Sequence, residues 1–231
     1  MRPIAIAIAG AATACCSGSS SISRQWKNHQ MVGNMTEIGS MITFEEAIAA
    51  TESLLEQVEA NQLSPEQIQD AIAALVQSEN GARGFFVTYL TSNSSLANYP
   101  SEELVQALRS SPDIVAELLA KNVAMSAAMT LTHTRNSDEA MAQSSQQVRD
   151  RSAALIKLLD LDPVYDRCRK LLESAVTGAG TYQAFLDRWG YDAEQRQLIC
   201  EALEGAIVVA QTNEESSQDQ EPTAAKELTE E

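Results

Sequence analysis

The sequence predicts an all-α fold, and three observations carry that prediction. Thr43-Phe-Glu-Glu46, Ser64-Pro65-Glu-Gln67 and Asp192-Ala-Glu-Gln195 each set a capping side chain three residues before a Glu or Gln, the signature of a helix start. The apolar residues between these starts recur at helical spacing and nowhere alternate as a half-buried strand would. Aromatic residues make up only 5% of the chain, while Ala, Leu, Gln and Glu abound, which favours helices over a sandwich or barrel. The expected architecture is a single globular bundle of about eight helices around a long central helical hairpin, over residues 42–210. A flexible leader, 1–41, precedes it and a disordered acidic tail, 211–231, follows.

Each element has its own warrant. The Thr43 box opens a helix to about Gln57–Ala60, with Phe44, Ala47, Ile48, Thr51, Leu54, Leu55 and Val58 as its stripe. Ser64 opens the next with Pro65 at the first helical position, and it stops before Asn80-Gly81. Phe85, Phe86, Val87, Tyr89 and Leu90 are apolar on most sides, the pattern of a buried helix; a lone strand there would have no partner. Asn93 to Pro100 reads as a loop, and Ser101 caps a short helix through Leu108. Pro163 opens a helix with Val164, Cys168, Leu171, Leu172 and Val176 as its stripe, broken by Gly178-Ala-Gly180. A short helix from Thr181 carries Phe185, Leu186 and Trp189 and ends at Gly190 as a left-handed cap. The Asp192 box opens a final helix through Ile199, Leu203 and Ile207, and from Gln211 the tail lacks the apolar content to fold.

The hairpin, Pro112 to Leu159, is the most informative stretch. Val115, Leu118, Leu119, Asn122, Ser126, Met129 and His133 share one helical face, and Met141, Ser144, Ser145, Val148, Ser152, Leu155, Ile156 and Leu159 share the other. Folded back about Arg135-Asn136-Ser137, the two faces meet aliphatic end to aliphatic end, and their turn-proximal halves bring Met, His, Ser and Asn together. Asn122, Ser126, Met129, Thr130, His133, Met141, Ser144 and Ser145, with Arg149 at the edge, form the candidate ligand-binding set. Met125, Met129 and His133 fall at i, i+4 and i+8, a spacing that lines thioethers and an imidazole along one face, the donors that soft metals prefer. A hydrated packing seam explains the same residues, since small Ser and Ala side chains let helices approach closely and methionine fills irregular gaps.

Charge and missing motifs bound the function. The formal net charge is −16, spread as +2 over residues 1–41, −12 over 42–210 and −6 over 211–231, so nucleic acid and anionic membrane surfaces are disfavoured as partners. Arg167, Arg169 and Lys170 stand among Asp160, Asp162, Asp166 and Glu173 and read as a salt-bridging face. Thr177-Gly-Ala-Gly-Thr181 lacks the lysine and preceding strand of a phosphate loop and reads as a turn between helices. No GxSxG, HExxH, EF-hand or paired ExxH motif occurs, and no cofactor is expected. Cys168 and Cys200 sit on apolar stripes without a CxxC partner and read as buried thiols.

The leader has two readings. Arg2, an alanine–isoleucine run and Cys15 resemble a lipoprotein-type signal, with export and anchoring through Cys15. Alternatively the real protein begins at Met31, Met35 or Met41, and a cytoplasmic location follows. The second reading is favoured because the stretch gathers two of four Cys, one of two His and one of two Trp, which folded domains do not concentrate in a leader. No stretch reads as long enough to span a bilayer. The functional expectation is a non-catalytic soluble interaction or accessory protein, binding a protein partner or a second copy of itself through a helix face. The second expectation is a bundle that binds a small polar ligand or a soft metal at the polar end of the hairpin.

Overall fold

The computed structural model describes residues 42–207; the expected leader, its Cys15 and the acidic tail lie outside the described residues. Among the described residues there are ten helices and no strand. In chain order they are α1 (Phe44–Glu59), α2 (Pro65–Val76), α3 (Glu79–Thr91), α4 (Ser95–Asn98), α5 (Glu102–Arg109), α6 (Pro112–Arg135), α7 (Glu139–Leu159), α8 (Asp162–Thr177), α9 (Gln183–Trp189) and α10 (Ala193–Ile207). The all-α expectation holds, and the caps that predicted it are formed. Thr43 Oγ1 accepts from the Glu46 N–H at 3.2 Å while Glu46 accepts from the Thr43 N–H at 2.9 Å. Ser64 and Gln67 repeat the pairing, as do Asp192 and Gln195.

Packing organises around two helices. α3 is buried through Phe85, Phe86, Tyr89 and Leu90, each at most 1% exposed. Phe85 meets Phe86 edge-on and Tyr89 face-on, both at 5.3 Å, and the Tyr89 hydroxyl donates to the Leu96 carbonyl at 3.1 Å. α1 crosses α3 so closely that a Cβ on Gly84 would lie 2.5 Å from the Ala47 Cβ, which is why glycine stands there. α6 is the hub of the second half, with α7, α8 and α10 packed on it. Two arginines stitch the halves together by capping helix ends: Arg151 donates to the Leu90 and Ser92 carbonyls at 2.8 and 2.6 Å, and Arg109 donates to the Leu159 carbonyl at 3.0 Å.

Four expectations need correction. Asn93–Pro100 is not all loop: Ser94 Oγ accepts from the Ala97 N–H at 3.2 Å and caps the single turn α4. Val176 is 69% exposed and does not belong to the α8 stripe. The stripe assigned to α6 supplies only Val115, Leu119 and Ser126 of its buried residues; Leu118, Asn122, Met129 and His133 are half-buried, and Ala116, Ala120, Val123, Ala124, Ala127 and Ala128 are buried instead. The fourth concerns length: α6 is long and apolar enough to cross a membrane on those grounds alone. Half of its most apolar window is covered by protein neighbours, as in a core helix.

Candidate functional site

At the turn end of the hairpin, three elements enclose a small cleft. Asn136, whose N–H donates to the Thr132 carbonyl at 3.1 Å, ends α6, and the Asp138 carboxylate, which accepts from the Met141 N–H at 3.2 Å, caps the start of α7. The turn between them passes through Ser137 at φ 57°, a left-handed residue that reverses the chain in three positions. With Arg135 and Glu139 ending and starting the helices, His133 faces Met141 at one level and Met129 faces Ser145 one turn deeper. The third wall comes from α9 and the loop after it. Gly190, at φ 64°, caps α9 and turns the chain so that Trp189 and Tyr191 both line the cleft.

That wall is fastened to the hairpin by polar contacts. The Arg135 guanidinium bridges Asp192, at 2.5 Å, and Glu194. Gln195 accepts from the Asp192 N–H with its carbonyl and donates through its amide to Thr132 Oγ1 at 2.9 Å. Arg196 donates to the Tyr191 carbonyl at 3.2 Å and pairs with Asp187. The hydrogen bond from Arg135, followed by the N–H of Gln195, holds the Asp192 carboxyl below the usual carboxylate range.

The lining is Met125, Ser126, Met129 and His133 from α6, Met141, Ser144, Ser145 and Val148 from α7, and Trp189 and Tyr191. Six of the nine residues singled out in the sequence therefore share it. Asn122, Thr130 and Arg149 do not line it. Thr130 donates to the Ser126 carbonyl at 2.8 Å and Arg149 pairs with its neighbour Asp150 at 2.9 Å. Asn122 contributes its backbone carbonyl, which accepts from Ser126 Oγ. Several hydroxyls of the expected polar seam are thus satisfied one turn back along their own helix, as is Ser152, which donates to the Val148 carbonyl at 2.7 Å. Trp189 and Tyr191 escaped sequence reasoning, because nothing in a short helix and a glycine cap says which neighbour the next residue meets. Their scarcity in a chain with 5% aromatics was the one usable signal.

Two features separate the cleft from ordinary packing. Tyr191 is 7% exposed, yet its buried hydroxyl has no hydrogen-bond partner among the described residues. Such an orphan costs about 1–3 kcal/mol, a cost that a polar occupant removes. Burial also pushes the Tyr191 phenol well above its usual range, so it acts only as a neutral donor or acceptor. The cavity volume is about 30 Å³, room for an ion or one or two waters, against the roughly 300 Å³ at which metabolite pockets begin. Met125, Met129, His133, Met141 and Trp189 are each half-buried, so the cleft reaches solvent.

Elsewhere one charged cluster ties α6 to α8 and the segment before α9. Glu117 gathers Lys121 at 2.6 Å, the Tyr182 hydroxyl at 2.5 Å and Arg167 at 3.6 Å. Burial would raise the Glu117 carboxyl, but hydrogen bonds from Lys121 and Tyr182 outweigh it and the net shift is downward. Cys168 and Cys200 are both free; burial pushes the Cys168 thiol up to about 12. The Thr177–Thr181 segment is a turn, with Gly178 and Gly180 at φ 69° and 98°.

Fold and site together define an all-α protein with a small thioether- and imidazole-lined cleft at one end of its central hairpin. The chain belongs to the family described as "Uncharacterised conserved protein UCP020893", whose model matches residues 43–206, from the α1 cap to the last turn of α10. No curated protein and no solved structure matches it.

Proposed function

We propose that this is a non-catalytic binding protein whose working part is the cleft at the turn end of the α6–α7 hairpin. One observation carries the reading. All three methionines and the one histidine of the described residues line a single cleft, beside a buried tyrosine hydroxyl that lacks a partner. The sequence placed a protein partner first and a ligand at the hairpin second; the geometry favours the second. Among the described residues, the large apolar side chains that stand exposed, Tyr99, Leu158 and Val176, come from separate elements, and scattered residues of this kind need no partner to explain them.

A non-catalytic role agrees with the chemistry of the lining. Thioethers do not transfer protons, and among the described residues no Asp or Glu lines the cleft to orient His133 as a general base. A cytoplasmic location belongs to the same proposal, and N-terminal sequencing of the mature chain tests it: a start at or after Met31 agrees, and a lipid-bearing Cys15 does not.

Native mass spectrometry of the full chain purified from its own cells tests the binding itself. The wild type should carry added mass that a Met129→Leu/His133→Gln variant lacks. Equal masses for the two proteins would count against the cleft as a binding site.

A further inference from the structure

Within that binding reading, on which the inference rests, we propose that the occupant is a soft monovalent metal ion, Cu(I), held by the Met129 and Met141 thioethers and the His133 imidazole. The donor types argue for it first. Soft thioether sulfur selects Cu(I) over the harder divalent ions, and imidazole suits copper as well. A cleft built for Mg²⁺ or Ca²⁺ would present carboxylates, and none of the described residues brings one to this lining.

Helix geometry then sorts the donors. Met129 and His133 are one turn apart on α6, and Met141 stands at the level of His133 on α7. Met125 and His133 are separated by about 12 Å along the axis, too far for the two to share an ion without strain. The expected set is therefore Met129, His133 and Met141, with Met125 lining the inner end of the cleft.

Size is the second argument. A cavity of about 30 Å³ admits an ion with a water beside it and excludes a metabolite. The Tyr191 hydroxyl, buried and unpartnered, gives such a water its hydrogen-bond partner. Ser144 and Ser145 add hydroxyls at the α7 side.

Silver(I), a redox-inert stand-in for Cu(I), is the probe. The full chain is prepared with Cys15, Cys16 and Cys200 changed to Ser, so that these thiols do not compete; Cys168 stays in place, fully buried. Its methionine methyl groups are labelled for NMR. One equivalent of Ag(I) should shift the Met129 and Met141 methyl signals and those of His133, and move the fluorescence of Trp189 in a Trp26→Phe background. Anaerobic Cu(I) competition should show Met129→Leu and His133→Gln each weakening affinity by at least the 10- to 100-fold typical of losing an outer-sphere partner, about the minimum for a direct donor. Met125→Leu should weaken it less. Leucine matches methionine in volume, so unchanged melting of the leucine variants separates lost binding from lost folding.

Silent methionine methyls, or affinities that the Met129 and His133 variants leave unchanged, would overturn the metal assignment. If the cell-purified protein nevertheless carries an organic mass that depends on His133, only the metal assignment fails. If it carries nothing and Ag(I) does not bind, the binding reading fails with it.

Discussion

At the residue scale, single side chains set what the molecule can tolerate and what it can react with. Phe85 is fully buried and touches Phe86 and Tyr89, so Phe85→Ala should cost about 3–5 kcal/mol. The check is urea unfolding: the midpoint should fall while the slope stays the same. The two described thiols should differ in reactivity. Burial raises both, that of Cys200 with help from Glu204 and Glu201, but Cys168 is wholly enclosed whereas Cys200 is half-buried. Mass-mapped alkylation of native protein should label Cys200 slowly and Cys168 only on unfolding. Equal rates at the two sites would mean that α8 is not packed as described. Cys168 was readable as a buried thiol, since cysteine behaves as a small hydrophobe; Cys200, read the same way, is only half-buried.

At the element scale, the helices were legible where chemistry repeats and illegible where it does not. Capping boxes at Thr43, Ser64 and Asp192 announce helix starts because the same reciprocal hydrogen bonds form whatever the tertiary context. The alanines of α6 stayed hidden, since alanine has too little side chain to declare a direction, yet Ala116, Ala120, Ala124, Ala127 and Ala128 are all buried on the helix that α7, α8 and α10 pack against. The turn α4 was hidden for the opposite reason: Ser94, Ser95 and Asn98 suit a loop as well as a cap. The two walls of the candidate site on α6 and α7 were legible, because helical periodicity fixes which residues share a face. The third wall, Trp189 and Tyr191, depends on Gly190, whose φ of 64° no periodicity encodes. Two glycine variants test these elements. Gly84→Ala forces a contact of 2.5 Å with Ala47 and should destabilise the α1–α3 pair by about 1–3 kcal/mol. Gly190→Ala meets open space and should cost only the left-handed backbone, about 1–2 kcal/mol, while displacing Tyr191 and weakening the cleft. Thermal melts with Trp189 fluorescence as a local reporter distinguish the two outcomes.

At the scale of the whole molecule, an acidic chain assigns its few cations to joints: Arg109 and Arg151 close helix ends, and Arg135 ties the hairpin turn to α10. Asp192 and Glu117 both titrate below the usual carboxylate range in the folded protein. A depressed carboxyl contributes stability that is present above the unfolded value, about 3.9–4.3, and is lost as pH falls through the folded value. Melting temperature should therefore drop on acidification below about pH 4, and Asp192→Asn should flatten that drop. An equally steep drop in the variant would deny Asp192 a part in fastening the third wall. The binding cleft proposed at the turn end of the hairpin is open to direct observation. The most direct measurement is a crystal structure of the full chain purified from its own cells, with diffraction collected on both sides of the copper absorption edge. Ordered non-protein density should touch Met129, His133 and Met141, with an anomalous peak that appears only above that edge. Side chains closed over one another with nothing but water between them would contradict the proposal.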